Sequence, residues 1–347
     1  MIKKILVKNL FNQANNNYDL DFFADINLLT GRNGSGKTTI LKLLWYAISG
    51  HFDILVREIT FSYLKIVTDK CEIEIDASGN PTYHFSIKYF DKELAQKHNK
   101  DFKNFKLLPI IDEEHSTLFF PTFRRIEGGF TIVPKVGEMV ENNKIYEAFN
   151  ELSNRLSRTE MGLVNHKFIA YVSTNDINRR LNDEMAYYST EKDKITIQQA
   201  TEIENLAKLG KNEDILTVLE NYKKKLTKLE IEFSVLHELV NKHIQKRILL
   251  TDKLIIGTGN STPIPSQRLS AGEKQLFSFL CYNIFAKNSS IFIDEPEISL
   301  HPDWQRHLIP LLLKQSSTNQ FFITTHSDLI AAPYAHREIE LNKDKGK

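Results

Sequence analysis

Residues Gly31 to Thr38 run Gly-Arg-Asn-Gly-Ser-Gly-Lys-Thr. Their types and spacing suit one chemistry, the cradling of phosphate. Gly31, Gly34 and Gly36 supply backbone conformations that a Cβ would penalise and let the main chain approach an anion closely. Where such a loop opens a helix, the backbone N–H groups of Gly31, Arg32, Asn33, Gly34, Ser35, Gly36, Lys37, Thr38 and Thr39 can gather on one small volume, and the positive end of the helix dipole adds to the attraction. Lys37 would then reach the β- and γ-phosphates of a nucleoside triphosphate, with the Thr38 hydroxyl on Mg²⁺. Far downstream, Asp294 and Glu295 close the apolar run Ile291, Phe292, Ile293. Asp294 would hold the Mg²⁺ shell, while Glu295, pointing to the other side of the chain, would polarise the attacking water. His326 follows a second apolar run, Phe321 to Ile323, where an imidazole could sense or stabilise a γ-phosphate. A second anion-seeking helix start lies at Leu269-Ser-Ala-Gly-Glu-Lys-Gln, with Ser270 as cap and Gly272 for close backbone approach.

These groups need strands that end together. Ile26, Leu28 and Leu29 precede the glycine-rich loop and Thr39 to Ile48 follow it as a helix, while the two downstream runs suit buried parallel strands that deliver polar groups to their C-terminal edge. Ile5 to Leu10 and Tyr18 to Phe23 read as paired strands. Cys71, Ile73 and Ile75 alternate with acids, Ala77 to Asn80 turns, and Tyr83, Phe85, Ile87 and Tyr89 alternate again, which predicts a hairpin with one wet face. The middle changes period. Leu219, Tyr222, Leu226, Leu229, Phe233, Leu236 and Val240 form a heptad seam, a rod on the order of 40 Å at ~1.5 Å per residue. It stops at His243 and Arg247, with Tyr146 to Leu156 and Ile195 to Leu209 as candidate packing partners. Gly257 to Ser266 reads as a connecting loop. The division is therefore residues 1–136, a first half of a nucleotide-binding head, 137–255, a helical insertion, and 256–347, the second half.

Leu-Ser-Ala-Gly-Glu-Lys-Gln resembles the signature motif of the ABC-type ATPases, and Ile293 to Gln305, I-D-E-P-E-I-S-L-H-P-D-W-Q, resembles the soluble branch that includes SMC, RecF and OLD-type proteins. Phe119 to Arg125 is similar to phage-defence ATPases of the AriA (PARIS system) and PtuA kind. The resemblance implies an α/β P-loop NTPase of ABC-ATPase type, with an antiparallel β-subdomain beside the nucleotide and a helical, short coiled-coil insertion. It implies ATP and Mg²⁺ as ligands and a homodimer in which Ser270 and Gly272 of one subunit close on the γ-phosphate held by Lys37 of the other. His301 stands where transporter relatives usually carry aspartate, so that aspartate's inter-subunit role is not carried over. The output implied is that of a regulatory ATPase in a bacterial anti-phage defence complex, responding to a phage-encoded trigger and controlling a toxin or nuclease effector. The short remainder after His326 leaves no room for a nuclease, so the effector would be a separate subunit. The alternative is a DNA-repair or DNA-clamping ATPase with duplex DNA as partner.

Composition limits the rest. The 347 residues, 41% of them apolar, can bury a substantial core. With 45 basic and 44 acidic residues the net charge is +1, so no global field recommends nucleic acid or a membrane surface. Cys71 and Cys281 sit in apolar runs, which suits reduced thiols in a cytoplasmic chain and offers no metal set. No run approaches the ~20 apolar residues of a membrane span. Lys223, Lys224, Lys225 and Lys228 read as the solvated face of a helix, Arg179 and Arg180 as surface, and Arg124 and Arg125 as either turned to the nucleotide or to phosphate of a bound partner, or ion-paired.

Overall fold

Strands buried on both faces carry no polar alternation, and the three runs expected to frame the site behave this way. Ile26–Thr30, Ser289–Asp294 and Gln320–Thr324 are buried at every position. In the computed structural model they lie in a six-stranded sheet ordered His166–Phe168, Ser116–Phe120, Ser289–Asp294, Gln320–Thr324, Ile26–Thr30, Glu338–Glu340. Every neighbouring pair is parallel. The structure describes residues 1–78, 82–89, 92–99, 116–122, 125–126, 165–172, 174–210, 212–243, 247–250, 254–257, 263–264, 269–315 and 318–341. Phe123, Arg124, Tyr146 to Leu156, most of the Gly257 to Ser266 connection, and the side chains of Arg125, Lys228 and Leu229 lie outside the described residues.

Alternate residues of the parallel strands feed two cores. Leu29, Phe119, Phe292 and Phe322 face the phosphate-loop helix Lys37–Ile48 and an antiparallel sheet. Phe119 lies 6.1 Å and Phe322 5.0 Å from Phe292 between ring centroids, so an aromatic row crosses three strands. Leu28, Leu118, Phe120, Ile291, Ile293, Phe321 and Ile323 face the opposite side, against the helices Ala271–Phe285 and Pro302–Lys314. Cys281 is in this second core, where burial pushes its thiol up to about 12 and keeps it protonated.

The antiparallel sheet is ordered Tyr18–Asp21, Ile2–Lys8, Tyr63–Thr68, Cys71–Asp76, Thr82–Tyr89, Lys92–Asn99. The first strand starts and ends earlier than the pattern suggested, because Asn9 turns left-handed (φ 53°) and Leu10–Asn12 forms a short 3₁₀ turn. The expected hairpin is present, with Ile73 opposite Ile87 and Ile75 opposite Phe85 on the buried face. On the wet face Lys65 bridges Glu72 (2.8 Å) and Glu74 (2.7 Å). Gln320 ties the two sheets together: its side chain accepts from the Ile2 N–H and donates to the Ile2 carbonyl, both at 2.7 Å.

The helical segment is an antiparallel hairpin of Thr174–Lys208 and Asn212–His243, turned at Gly210 (φ 70°). Tyr188 stacks edge-on against Phe233, 5.8 Å between centroids, and its hydroxyl donates to Glu230 at 2.7 Å. At ~1.5 Å per residue each arm is about 50 Å long, a little beyond what the seam alone implied. The seam stops because the helix stops at His243, and Arg247 opens a strand, Arg247–Leu250, paired with Leu254–Gly257. Leu236, Leu239 and Val240 are buried together with Ile177, Leu181 and the helix Ala271–Phe285, so the base of the hairpin is part of the head. Two further differences follow from this rooting. His166–Phe168, inside the segment read as insertion, is a strand of the parallel sheet. Arg180, read as surface, is partly buried, pairs with Glu184 at 2.5 Å and lies 5.9 Å from the Phe285 ring centroid. Lys223, Lys224 and Lys225 are exposed, as a solvated face requires.

Candidate functional site

The strand Ile26–Thr30 runs directly into the glycine-rich loop, where Gly31 (φ 139°), Gly34 (φ 80°) and Gly36 (φ 92°) all occupy backbone that side chains disfavour. Arg32, Asn33 and Gly34 are exposed, whereas Gly31, Ser35, Gly36, Thr38 and Thr39 are half-buried and Lys37 is buried. The loop rests on the antiparallel sheet. Tyr18 donates its hydroxyl to the Ser35 carbonyl at 2.9 Å, and a Cβ on Gly36 would meet that hydroxyl at 3.4 Å. Lys37 folds back under the loop, its Nζ donating to the carbonyls of Gly31 (2.9 Å) and Arg32 (3.2 Å). Burial lowers its pKa, an effect opposed by the carboxylates of Glu295, Asp294 and Glu297.

Parallel register brings the downstream groups to the same edge. Asp294 is opposite Thr324, which is opposite Leu29, so three strands end level beside the loop. The buried Asp294 carboxylate collects three hydroxyls. Thr38 Oγ1 donates to Oδ1 at 3.0 Å and Thr324 Oγ1 to the same oxygen at 2.5 Å, while Thr122 Oγ1 donates to Oδ2. Thr38 and Asp294 thus juxtapose a hydroxyl and a carboxylate, the hard oxygen donors that suit Mg²⁺. Among the described residues there is no group of three His, Cys, Asp or Glu that could hold a metal, so a cation here would draw its remaining ligands from phosphate and water.

Glu295 follows in a left-handed conformation, φ 47°, a strain that costs about 1–3 kcal/mol in a residue with a side chain. Its N–H bonds to the carbonyl (3.1 Å) and hydroxyl (3.0 Å) of Thr324. Its Oε1 lies 3.8 Å from Nε2 of the exposed His326. Glu297 braces that histidine from below, accepting from the His326 N–H at 2.6 Å and the Thr325 hydroxyl at 2.9 Å. Gln305 adds a third tie, accepting from Ser327 Oγ at 2.7 Å and donating to the Leu300 carbonyl at 2.9 Å.

The signature segment is built separately. Ser270 caps the helix Ala271–Phe285 in a reciprocal box, its Oγ accepting from the Glu273 N–H at 3.3 Å and its own N–H donating to the Glu273 carboxylate at 2.6 Å. Ser270 is exposed and Gly272 buried. A Cβ on Gly272 would come within 2.6 Å of the Ser299 carbonyl and 3.0 Å of the Trp304 ring, so within this chain glycine is required for packing on the turn that follows Glu295. Lys37, Thr38, Asp294, Glu295 and His326 therefore share one edge, while Gly272 sits against Ser299 and Trp304 and Ser270 is held by Glu273 at the exposed helix start. His301 caps the next helix, accepting from the Asp303 N–H at 3.3 Å.

Sequence reasoning missed Tyr18, Thr122, Thr324 and Glu297. Position was the available signal for the threonines, since each follows or closes an apolar strand at the same edge as Asp294.

Residues 26–332 match the family model described as "AAA domain, putative AbiEii toxin, Type IV TA system". Among curated proteins, the chain is 29% identical over 101 residues to the Retron Ec83 probable ATPase of Escherichia coli, covering 25% of this chain and 19% of that protein. The match thus spans about a fifth of that relative's length. Among solved structures, the Smc head domain with an extended coiled coil bound to the C-terminal domain of ScpA, from Pyrococcus furiosus, aligns at 15% identity and TM-score 0.39, covering 95% of this chain and 91% of that one. The SmcHead bound to the C-winged helix domain of ScpA aligns at 12% identity and TM-score 0.45 with the same coverages, 95% and 91%.

Proposed function

Because this chain belongs to the AAA-domain family so described, we propose that it is an ATPase that hydrolyses ATP between the glycine-rich loop and Glu295. The observation that carries this reading is the 3.0 Å contact between Thr38 and Asp294, two residues far apart in sequence that meet beside a buried lysine. Lys37 leaves its loop carbonyls for the β- and γ-phosphate oxygens. Glu295 takes a proton from water as the water oxygen bonds to the γ-phosphorus and the bond to the bridging β–γ oxygen breaks, releasing ADP and phosphate. His326, beside Glu295, stabilises the oxygens of the transferring group. Mg²⁺, held by Thr38 and Asp294, would supply charge neutralisation at the phosphates when bound.

The ATPase works as a homodimer. Exposed Ser270 offers its helix start to the γ-phosphate of a facing subunit, and association then follows nucleotide state. The toxin–antitoxin wording of the family and the retron context of the similar ATPase support an output in bacterial defence, in which the dimer controls a separate toxin or nuclease effector. Phosphate release from ATP tests the reading. Lys37→Ala and Ser270→Arg subunits are each expected to be inactive alone, and mixing them should restore one intact site per mixed dimer. Background activity in mixtures that demonstrably contain mixed dimers would remove the shared site, and a wild-type chain that releases no phosphate would remove the ATPase.

A further inference from the structure

We propose that Gln275 is a positioning residue for hydrolysis, holding the turn that aims Glu295. This rests on the reading of Glu295 as the base. Gln275 is fully buried on the helix Ala271–Phe285. Its Nε2 donates to the Pro296 carbonyl at 2.8 Å, and its Oε1 is buried with no hydrogen-bond partner among the described residues. An orphaned buried acceptor is unfavourable, and an apolar side chain of the same shape would merely exchange it for an orphaned Pro296 carbonyl, so the core alone gives no reason for an amide here. What the amide supplies is its single bond to the residue after Glu295.

That bond completes a clamp. Thr324 fixes the Glu295 N–H at one end, and Gln275 fixes the Pro296 carbonyl at the other. Between the anchors the proline ring locks its own φ, leaving few torsions free. Glu295 precedes a proline, where extended backbone is ordinarily preferred, yet it stands at φ 47°. With the Pro296 carbonyl released, Glu295 relaxes toward extended backbone and its carboxylate leaves the line of the attacking water. The same helix packs Gly272 against the Ser299 carbonyl, so a shift of the signature helix reaches the Glu295 turn through two contacts. In the dimer, closure on one nucleotide would be felt by the base of the other site.

The test is Gln275→Met, which keeps the shape and removes the donor, in wild-type and Glu295→Gln backgrounds. Expected are a folded variant of near-wild-type thermal stability, unchanged ATP affinity and a kcat lowered about tenfold or more, since misplacement of a reacting group on the order of 1 Å costs up to about a hundredfold. In the Glu295→Gln background the substitution should cost nothing further, because the group it aims is gone. Gln275→Leu, apolar and likewise without a donor, carries the same expectation should Gln275→Met fail to fold. A folded variant with wild-type kcat, an undiminished additional loss in the Glu295→Gln background, or a parallel fall in ATP affinity would overturn the positioning role. Near-wild-type turnover by Glu295→Gln itself would instead overturn the base assignment, and the positioning role with it.

Discussion

The sheet edge that carries the candidate site and the helical hairpin are stabilised in opposite ways. At the edge the decisive contacts join residues far apart in the chain, Thr38 to Asp294, Ile2 to Gln320, Thr122 to Asp294. In the hairpin they join the two arms of a single helix–turn–helix, Tyr188 to Glu230 and Thr196 to Tyr222. The edge holds a buried lysine and aspartate beside a left-handed glutamate, whereas among the described residues the hairpin is buried only at its base. Toward the tip Ile197, Leu209 and Leu216 are 66%, 69% and 67% exposed. A surface free to meet a partner and a site held against relaxation are thus separated along the molecule, and perturbing one should leave the other standing.

The sharpest separation is expected from Phe292→Ala. Phe292 is fully buried between Phe119 and Phe322, and its truncation should cost about 3–5 kcal/mol in urea unfolding and abolish turnover with the fold. A loss below ~1 kcal/mol would mean that the aromatic row does not hold the edge. Lys37→Ala should weaken ATP binding by roughly 1.5–3 kcal/mol, the range for hydrogen bonds to charged groups, with helical content by circular dichroism unchanged. Titration of a fluorescent ATP analogue measures it, and full-strength binding would contradict the phosphate role. Gly272→Ala is expected to destabilise by about 1–3 kcal/mol, because the new Cβ meets a backbone carbonyl that cannot rotate away. Smallest of all, Ile197→Ser with Leu216→Ser should change stability by less than about 0.5 kcal/mol each and leave ATP turnover at wild-type level. If those tip changes altered ATP turnover in the isolated protein, the separation between the two regions would be broken.

The sequence disclosed the candidate site residues and said little about what holds them in place. Gly31 to Thr38 is a contiguous pattern with its own backbone demands, and Asp294 with Glu295 ends an apolar run, so both are visible locally. The left-handed turn at Glu295 was hidden by the proline after it, which ordinarily signals extended backbone. Thr122, Thr324 and Glu297 are common residue types whose meaning comes from strand order, and no local pattern states that Ser289–Asp294 lies between Ser116–Phe120 and Gln320–Thr324. The heptad seam predicted a paired helix, and Thr174–Lys208 is that pair. It did not reveal that Leu236 and Val240 pack on the head, since burial against a helix partner and burial against a core produce the same period.

The central claim is that Glu295 activates water at a site whose phosphates are held by Lys37 and Thr38. The most direct measurement is phosphate release and retained nucleotide on the Glu295→Gln variant, side by side with wild type under saturating ATP and Mg²⁺. The expected result is turnover lowered by about 10²–10⁴-fold, the range for loss of a general base, with ATP bound at wild-type affinity and recovered unhydrolysed. Turnover within a few-fold of wild type, or loss of ATP binding together with turnover, would contradict it.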